Sequence, residues 1–145
     1  MKTVGWIGIL SASMVLAVAA VQAQSSKPQG RDAHEMAALT GQMNSVNREC
    51  GTSITASFDW TGADEKDLSE YSAGGWCGNA LDAIKQVCDD APGKQAVKEK
   101  IKHLTCGFAQ PRTLSLKDDG TVEYKMDFKA YNNGDFLFEA LETAL

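Results

Sequence analysis

Leu104-Thr105-Cys106-Gly107-Phe108-Ala109-Gln110-Pro111-Arg112-Thr113-Leu114-Ser115-Leu116-Lys117-Asp118-Asp119-Gly120-Thr121-Val122-Glu123-Tyr124-Lys125-Met126-Asp127-Phe128 is the stretch that decides the fold. Apolar residues alternate with polar ones along it, the period of strands with one buried face, so it reads as three strands. A two-residue turn at Asp119-Gly120 would set Leu114 and Leu116 opposite Lys125 and Glu123, splitting the apolar set between two faces. A three-residue loop, Asp118-Asp119-Gly120, with Gly120 left-handed, instead pairs Leu116 with Val122 and Leu114 with Tyr124. Ser115 then faces Glu123, and Thr113 faces Lys125, on a polar side suited to water. An odd-length loop at Ala109-Gln110-Pro111 brings Leu104 and Cys106 onto the same apolar face.

Upstream of these strands the period changes to that of helices. Met36, Leu39, Met43, Val46 and Cys50 recur at steps of three and four, so a helix is expected from Asp32, with Asp32 and Glu35 favouring its dipole and Gly51 stopping it. Thr52 to Trp60 alternates as a strand, with Ile54, Ala56, Phe58 and Trp60 on one side. Thr61 to Ser72 reads as an acidic loop with a short helical turn, and Cys77, Leu81, Ile84 and Cys88 form the stripe of a buried helix from Gly75 to Asp89. Pro92-Gly93 is expected to turn the chain into a third helix, Lys94 to His103. After Asn132-Asn133-Gly134, Asp135 is placed to cap a last helix with Phe136, Leu137, Leu141 and Ala144 inward. The order predicts an α+β domain: an antiparallel sheet of three to four strands with helices packed on one face.

The four cysteines Cys50, Cys77, Cys88 and Cys106 allow two disulfides in three connectivities. Cys77 and Cys88 are eleven residues apart on one helix, about 16 Å along its axis, whereas a disulfide needs Cα atoms within about 7 Å. If the following helix returns antiparallel, Cys106 comes back beside Cys77. That favours Cys77 with Cys106 and Cys50 with Cys88, while a short, oblique helix would let Cys88 reach Cys106. No C-x-x-C supplies a redox pair or a haem attachment, and the short ligand pairs of a zinc site are missing.

At the N-terminus Lys2 precedes an apolar stretch over residues 4–21 ending in Val21-Gln22-Ala23, the pattern of a signal peptide over residues 1–23 cleaved after Ala23. A retained membrane anchor is the competing reading; the Gly, Ser and Ala content and the weak positive flank oppose it. Residues 24–31 carry nothing to bury and read as a flexible lead-in, leaving residues 32–145 as a single disulfide-tied domain. An exported, oxidising location, bacterial periplasm or extracellular space, is expected, and the lack of an N-x-[ST] sequon fits a bacterial envelope. The full chain has 14 basic and 19 acidic residues; without Lys2 the balance is −6. That sign repels nucleic acid and anionic lipid.

Chemistry-bearing residues are few. His34 stands at the exposed start of the first helix, and His103 is expected to close the third, where a cation suits the dipole. No G-x-S-x-G, H-E-x-x-H or phosphate-binding glycine loop is present. Asp59, Asp64, Glu65, Asp67 and Glu70 hold carboxylates of the kind that bind calcium or hydrolyse glycosides, without EF-hand spacing; a solvated loop is the expectation. Trp60, Tyr71 and Trp76 are expected to fill the core at the end of the sheet in preference to forming an aromatic binding patch. No metal or cofactor is expected. The favoured function is a small exported, non-enzymatic protein-binding or inhibitor-like module with a basic partner. The alternatives are a small hydrolase with His103 as base and an acidic orienter, and a structural protein oligomerising through the first helix.

Overall fold

The structure, a computed structural model, describes residues 26–145; the signal peptide expected over residues 1–23 lies outside the described residues. Five helices and four strands follow one another as α1 (Ser26–Cys50), β1 (Thr55–Phe58), α2 (Glu65–Glu70), α3 (Ala73–Val87), α4 (Ala91–Lys100), β2 (His103–Phe108), β3 (Thr113–Leu116), β4 (Thr121–Met126) and α5 (Asn133–Ala144). α1 begins six residues before Asp32, inside the segment read as a lead-in. A helix first turn accepts Pro28, because an N–H at that position would have no intrahelical acceptor and proline carries none.

The sheet is mixed, in the order β1-β2-β4-β3, where an antiparallel sheet was expected. β1 pairs with β2 and β2 with β4 in parallel; β3 pairs with β4 antiparallel. The β3–β4 register is Thr113 with Lys125, Leu114 with Tyr124, Ser115 with Glu123 and Leu116 with Val122. Gly120 closes the loop at φ +88°, and Lys117 N–H donates to the Thr121 carbonyl at 2.9 Å. What the alternation leaves open is which strand lies beside β2. β4 takes the centre because Val122, Tyr124 and Met126 are all fully apolar-facing and buried, whereas Leu114 and Leu116 on β3 are only half-buried and tolerate an edge. Residues 109–112 cross over the end of β4, with the Ala109 N–H held by the Met126 carbonyl at 3.0 Å.

α3 packs between α1 and α5, and the three cover one face of the sheet, α1 against β1, α3 against β4 and α5 against β3. The opposite face carries Thr55, Ser57, His103, Thr105, Glu123 and Lys125, the residues that alternate with the buried ones. α1 and α3 approach closely through glycine: a Cβ on Gly74 would lie 2.6 Å from the Glu35 carbonyl oxygen. The buried Glu35 carboxylate accepts hydrogen bonds from Ser72 Oγ at 2.8 Å and Gly74 N–H at 2.6 Å, which fixes the start of α3 to α1.

Two disulfides complete the frame. Cys50 is bonded to Cys88, tying the end of α1 to the end of α3, and Cys77 to Cys106, tying α3 to β2. α4 departs from the expected third helix. Asp90 accepts from Gly93 N–H at 2.7 Å as its N-cap, so Pro92 and Gly93 lie in its first turn, and it ends at Lys100. His103 is therefore the first residue of β2, not the last of a helix. α5 likewise starts without Asp135 as its cap: Asn132, at φ 54°, is the N-cap residue and gives no side-chain bond.

Tyr124 points into the core from β4, fully buried, and its hydroxyl has no hydrogen-bond partner among the described residues. Burial pushes its pKa up to about 12, opposed by Arg112 and reinforced by Asp127. The neutral phenol is thus the folded form. Because the folded value lies above that of an unfolded tyrosine, about 10, the contribution is whole below that pH and is lost as pH rises towards 12. Tyr124→Phe is expected to stabilise the domain by about 1 kcal/mol and to flatten the loss of stability on the alkaline side. Denaturant titrations at neutral and alkaline pH check this; a variant less stable than the parent would show that the hydroxyl has a bonding partner.

Candidate functional site

Parallel strands leave a crevice beyond their carboxyl ends, where open α/β sheets commonly bind ligands. Here the crevice is a cleft of about 330 Å³ beyond β2 and β4, lined by Asp64, Asp67, Phe108, Asp127, Phe128 and Lys129 among others. Each wall has a local cause. Asp64 is the N-cap of α2 and accepts from the N–H groups of Lys66 at 2.8 Å and Asp67 at 3.1 Å. Asp127 follows β4 and accepts from Lys129 N–H at 3.0 Å and Gln110 Nε2 at 3.3 Å. Phe108 ends β2, and Phe128 is buried beneath it with ring centroids 5.7 Å apart.

These two rings belong to a chain of six. Phe58 stacks on Trp60 at 4.9 Å, Trp60 on Phe108 at 5.8 Å, and Phe128 meets both Tyr71 and Trp76 at 5.2 Å. Trp60 and Trp76 thus support the end of the sheet from inside, and Tyr71 is the member with an exposed flank, at 39 %. The start of α1 braces the rim: Asp32 accepts from Trp60 Nε1 at 3.2 Å, and Arg31 grips Glu65 with two bonds of 2.9 and 3.0 Å. Nearby, hydrogen bonds from the side chain and then the N–H of Thr61 hold the Asp59 carboxyl below the usual range.

Of the acidic residues between β1 and α3, the cleft gathers Asp64 and Asp67, while Asp59, Glu65 and Glu70 lie outside its lining. Asp127 joins them from a distant part of the chain, a contribution that depends on β4 lying beside β2 in parallel. Among the described residues, no three Asp, Glu, His or Cys side chains are grouped so as to hold a metal ion.

His103 lies on the uncovered face of the sheet. Thr55 Oγ1 is 2.6 Å from its Nδ1 and Ser57 Oγ 2.8 Å from its Nε2, because Thr55 pairs with His103 in register and Ser57 follows on the same face. A neutral imidazole has one donor and one acceptor nitrogen, and two hydroxyls satisfy both. A serine–histidine contact is one part of acyl-transfer machinery, but the ring is oriented here by a threonine hydroxyl and not by a carboxylate. His34 is exposed on α1.

Further concavities lie elsewhere among the described residues. One, near the amino ends of the parallel strands, has Lys100, Lys102 and Lys117 on its walls; Lys117 pairs with Glu123 at 3.1 Å and Lys100 donates to the Leu145 carbonyl. Another, between α4 and α5, combines Val87, Pro92 and Phe138 with Asp89, Asp90 and Glu142. A third runs along α5 beside Leu114 and Phe136. His103 borders none of these concavities. Comparison of the chain with protein-family models, with curated proteins and with solved structures gave no match.

Proposed function

We propose that this chain is a small exported, non-enzymatic protein-binding module that receives a basic side chain of its partner in the cleft beyond β2 and β4. The observation that carries this is the combination of three carboxylates, Asp64, Asp67 and Asp127, with the rings of Phe108 and Phe128 in one concavity. Carboxylates and aromatic faces both attract a cation, and Arg is the cation best suited to bonding the first while stacking on the second. Two disulfides fit an oxidising location outside the cytosol, and among the described residues no helix is long and apolar enough to cross a membrane. Periplasm or extracellular space is the proposed compartment.

His103 supports the same reading. Both ring nitrogens are occupied by hydroxyls, and the cleft lies elsewhere. The apolar stripe of α1 is also in use within the domain: Leu39, Val46 and Cys50 are buried and Met36 and Met43 pack against the core, which disfavours a seam for self-association.

The test uses a labelled peptide of alternating arginine and glycine, followed by fluorescence anisotropy. Binding is expected to weaken with salt and to fall about tenfold in Asp67→Asn/Asp127→Asn, substitutions that keep shape and remove charge. His103→Gln is expected to bind as the parent does. Loss of binding in His103→Gln, with the aspartate variant unaffected, would move the site to the open sheet face and reject the assignment.

A further inference from the structure

The turn between β4 and α5 reads Tyr131-Asn132-Asn133-Gly134-Asp135, and Asn133-Gly134 is the chain's one asparagine–glycine pair. Asn133 is the first residue of α5, half-buried. Its Oδ1 accepts a hydrogen bond from Arg112 Nη1 at 2.6 Å. The guanidinium is itself anchored: the same nitrogen donates to the Tyr131 carbonyl at 2.5 Å, and the group lies 4.4 Å over the Phe136 ring. Gly134 is exposed, with nothing within 4 Å of the place a Cβ would occupy. In the first turn of a helix that N–H has no intrahelical acceptor, and no side chain caps it from Asn132.

We propose that Asn133-Gly134 is a self-modification site, at which the backbone converts the Asn133 amide to a carboxylate with water as the sole co-reactant. The Gly134 nitrogen gives its proton to solvent and forms a bond to Asn133 Cγ, while the carbonyl electron pair moves onto Oδ1. The oxyanion forms facing the Arg112 guanidinium, the donor already bonded to that oxygen. Collapse breaks the bond to the side-chain nitrogen, which takes up a proton and leaves as ammonia, and the product is a five-membered succinimide. Water then opens the ring at either carbonyl, giving an aspartyl or an isoaspartyl link. No electrons are gained or lost overall.

The arrangement also favours the aspartyl product. A carboxylate there faces a fixed guanidinium and stands at the amino end of α5, where negative charge is stabilised by the helix dipole. The reaction thus strengthens the join between the sheet and α5 and makes the chain one charge more negative.

The folded protein, incubated at mildly alkaline pH, is followed by intact mass and peptide mapping. A gain of about 1 Da confined to Asn133 is expected, with isoaspartate in the same peptide. Asn44, Asn47, Asn79 and Asn132 serve as internal controls. Gly134→Ala should slow the conversion by shielding the nitrogen, and Arg112→Gln should slow it about tenfold by removing the oxyanion donor. The parent protein alone decides the central point: an unchanged mass at Asn133, while a free peptide of the turn sequence converts, overturns the proposal. A rate in folded Arg112→Gln equal to or above that of the parent overturns the role of the arginine.

Discussion

Gly74→Ala is expected to destabilise the domain by about 3 kcal/mol, combining overpacking with the weakening of a charged hydrogen bond. The added methyl would lie 2.6 Å from the Glu35 carbonyl oxygen, 3.0 Å from Glu35 Oε2 and 3.0 Å from the Ala38 Cβ. The nearest of these is backbone, which a rotamer change does not move. α1 and α3 would have to separate, stretching the bonds that the buried Glu35 carboxylate receives from Gly74 N–H and Ser72 Oγ. Gly78→Ala is the control. The three atoms nearest its methyl all belong to the Gln42 side chain, the closest at 2.2 Å, and that flexible group is able to swing away. A loss of about 1 kcal/mol or less is expected there. Denaturant unfolding of the two variants checks the contrast; equal stabilities for Gly74→Ala and the parent would show that the helices are not in contact at Glu35.

The second large effect is expected from Cys77→Ala/Cys106→Ala. The bridge between α3 and β2 spans 29 residues and both its cysteines are fully buried. A loop of that length restricts the unfolded chain enough to contribute about 3 to 4 kcal/mol, a large share of the stability of a domain this size. Removing it is expected to lower the unfolding free energy by that amount. The Cys50–Cys88 bridge differs in access, since Cys88, at the end of α3, is partly exposed. Under a mild reductant with thiol trapping, Cys50 and Cys88 are expected to be labelled first, and Cys77 and Cys106 only as the domain unfolds. Simultaneous labelling of all four would refute this order.

The acidic walls of the cleft were only partly visible in the chain. Asp64 and Asp67 fall in a stretch whose acidity is plain, and Asp64 carries the signature of a helix cap. Asp127 looked like any residue following a strand. Its place depends on the parallel pairing of β2 with β4, a contact between strands that are not consecutive. His103 shows the opposite problem. Expected to close a helix that starts at Lys94, it opens β2 instead, because the cap at Asp90 starts α4 early and the helix ends at Lys100.

Local physics was sufficient for much of this protein. Alternation and the loop ending in Gly120 determine the β3–β4 register, because a shift of one residue would turn every aliphatic side chain into water. Helical rise alone separates Cys77 from Cys88 and leaves each to find a partner elsewhere. The apolar stripes of α1 and α3 mark the faces that meet. Tertiary structure alone decided that β4 lies between β2 and β3, that His103 is held by Thr55 and Ser57, and that Asp127 reaches the cleft of Asp64 and Asp67. The reason is physical: a residue's neighbours along the chain dictate which way its side chain faces, whereas its neighbours across the sheet are chosen by whichever strand order buries the most apolar surface at the centre.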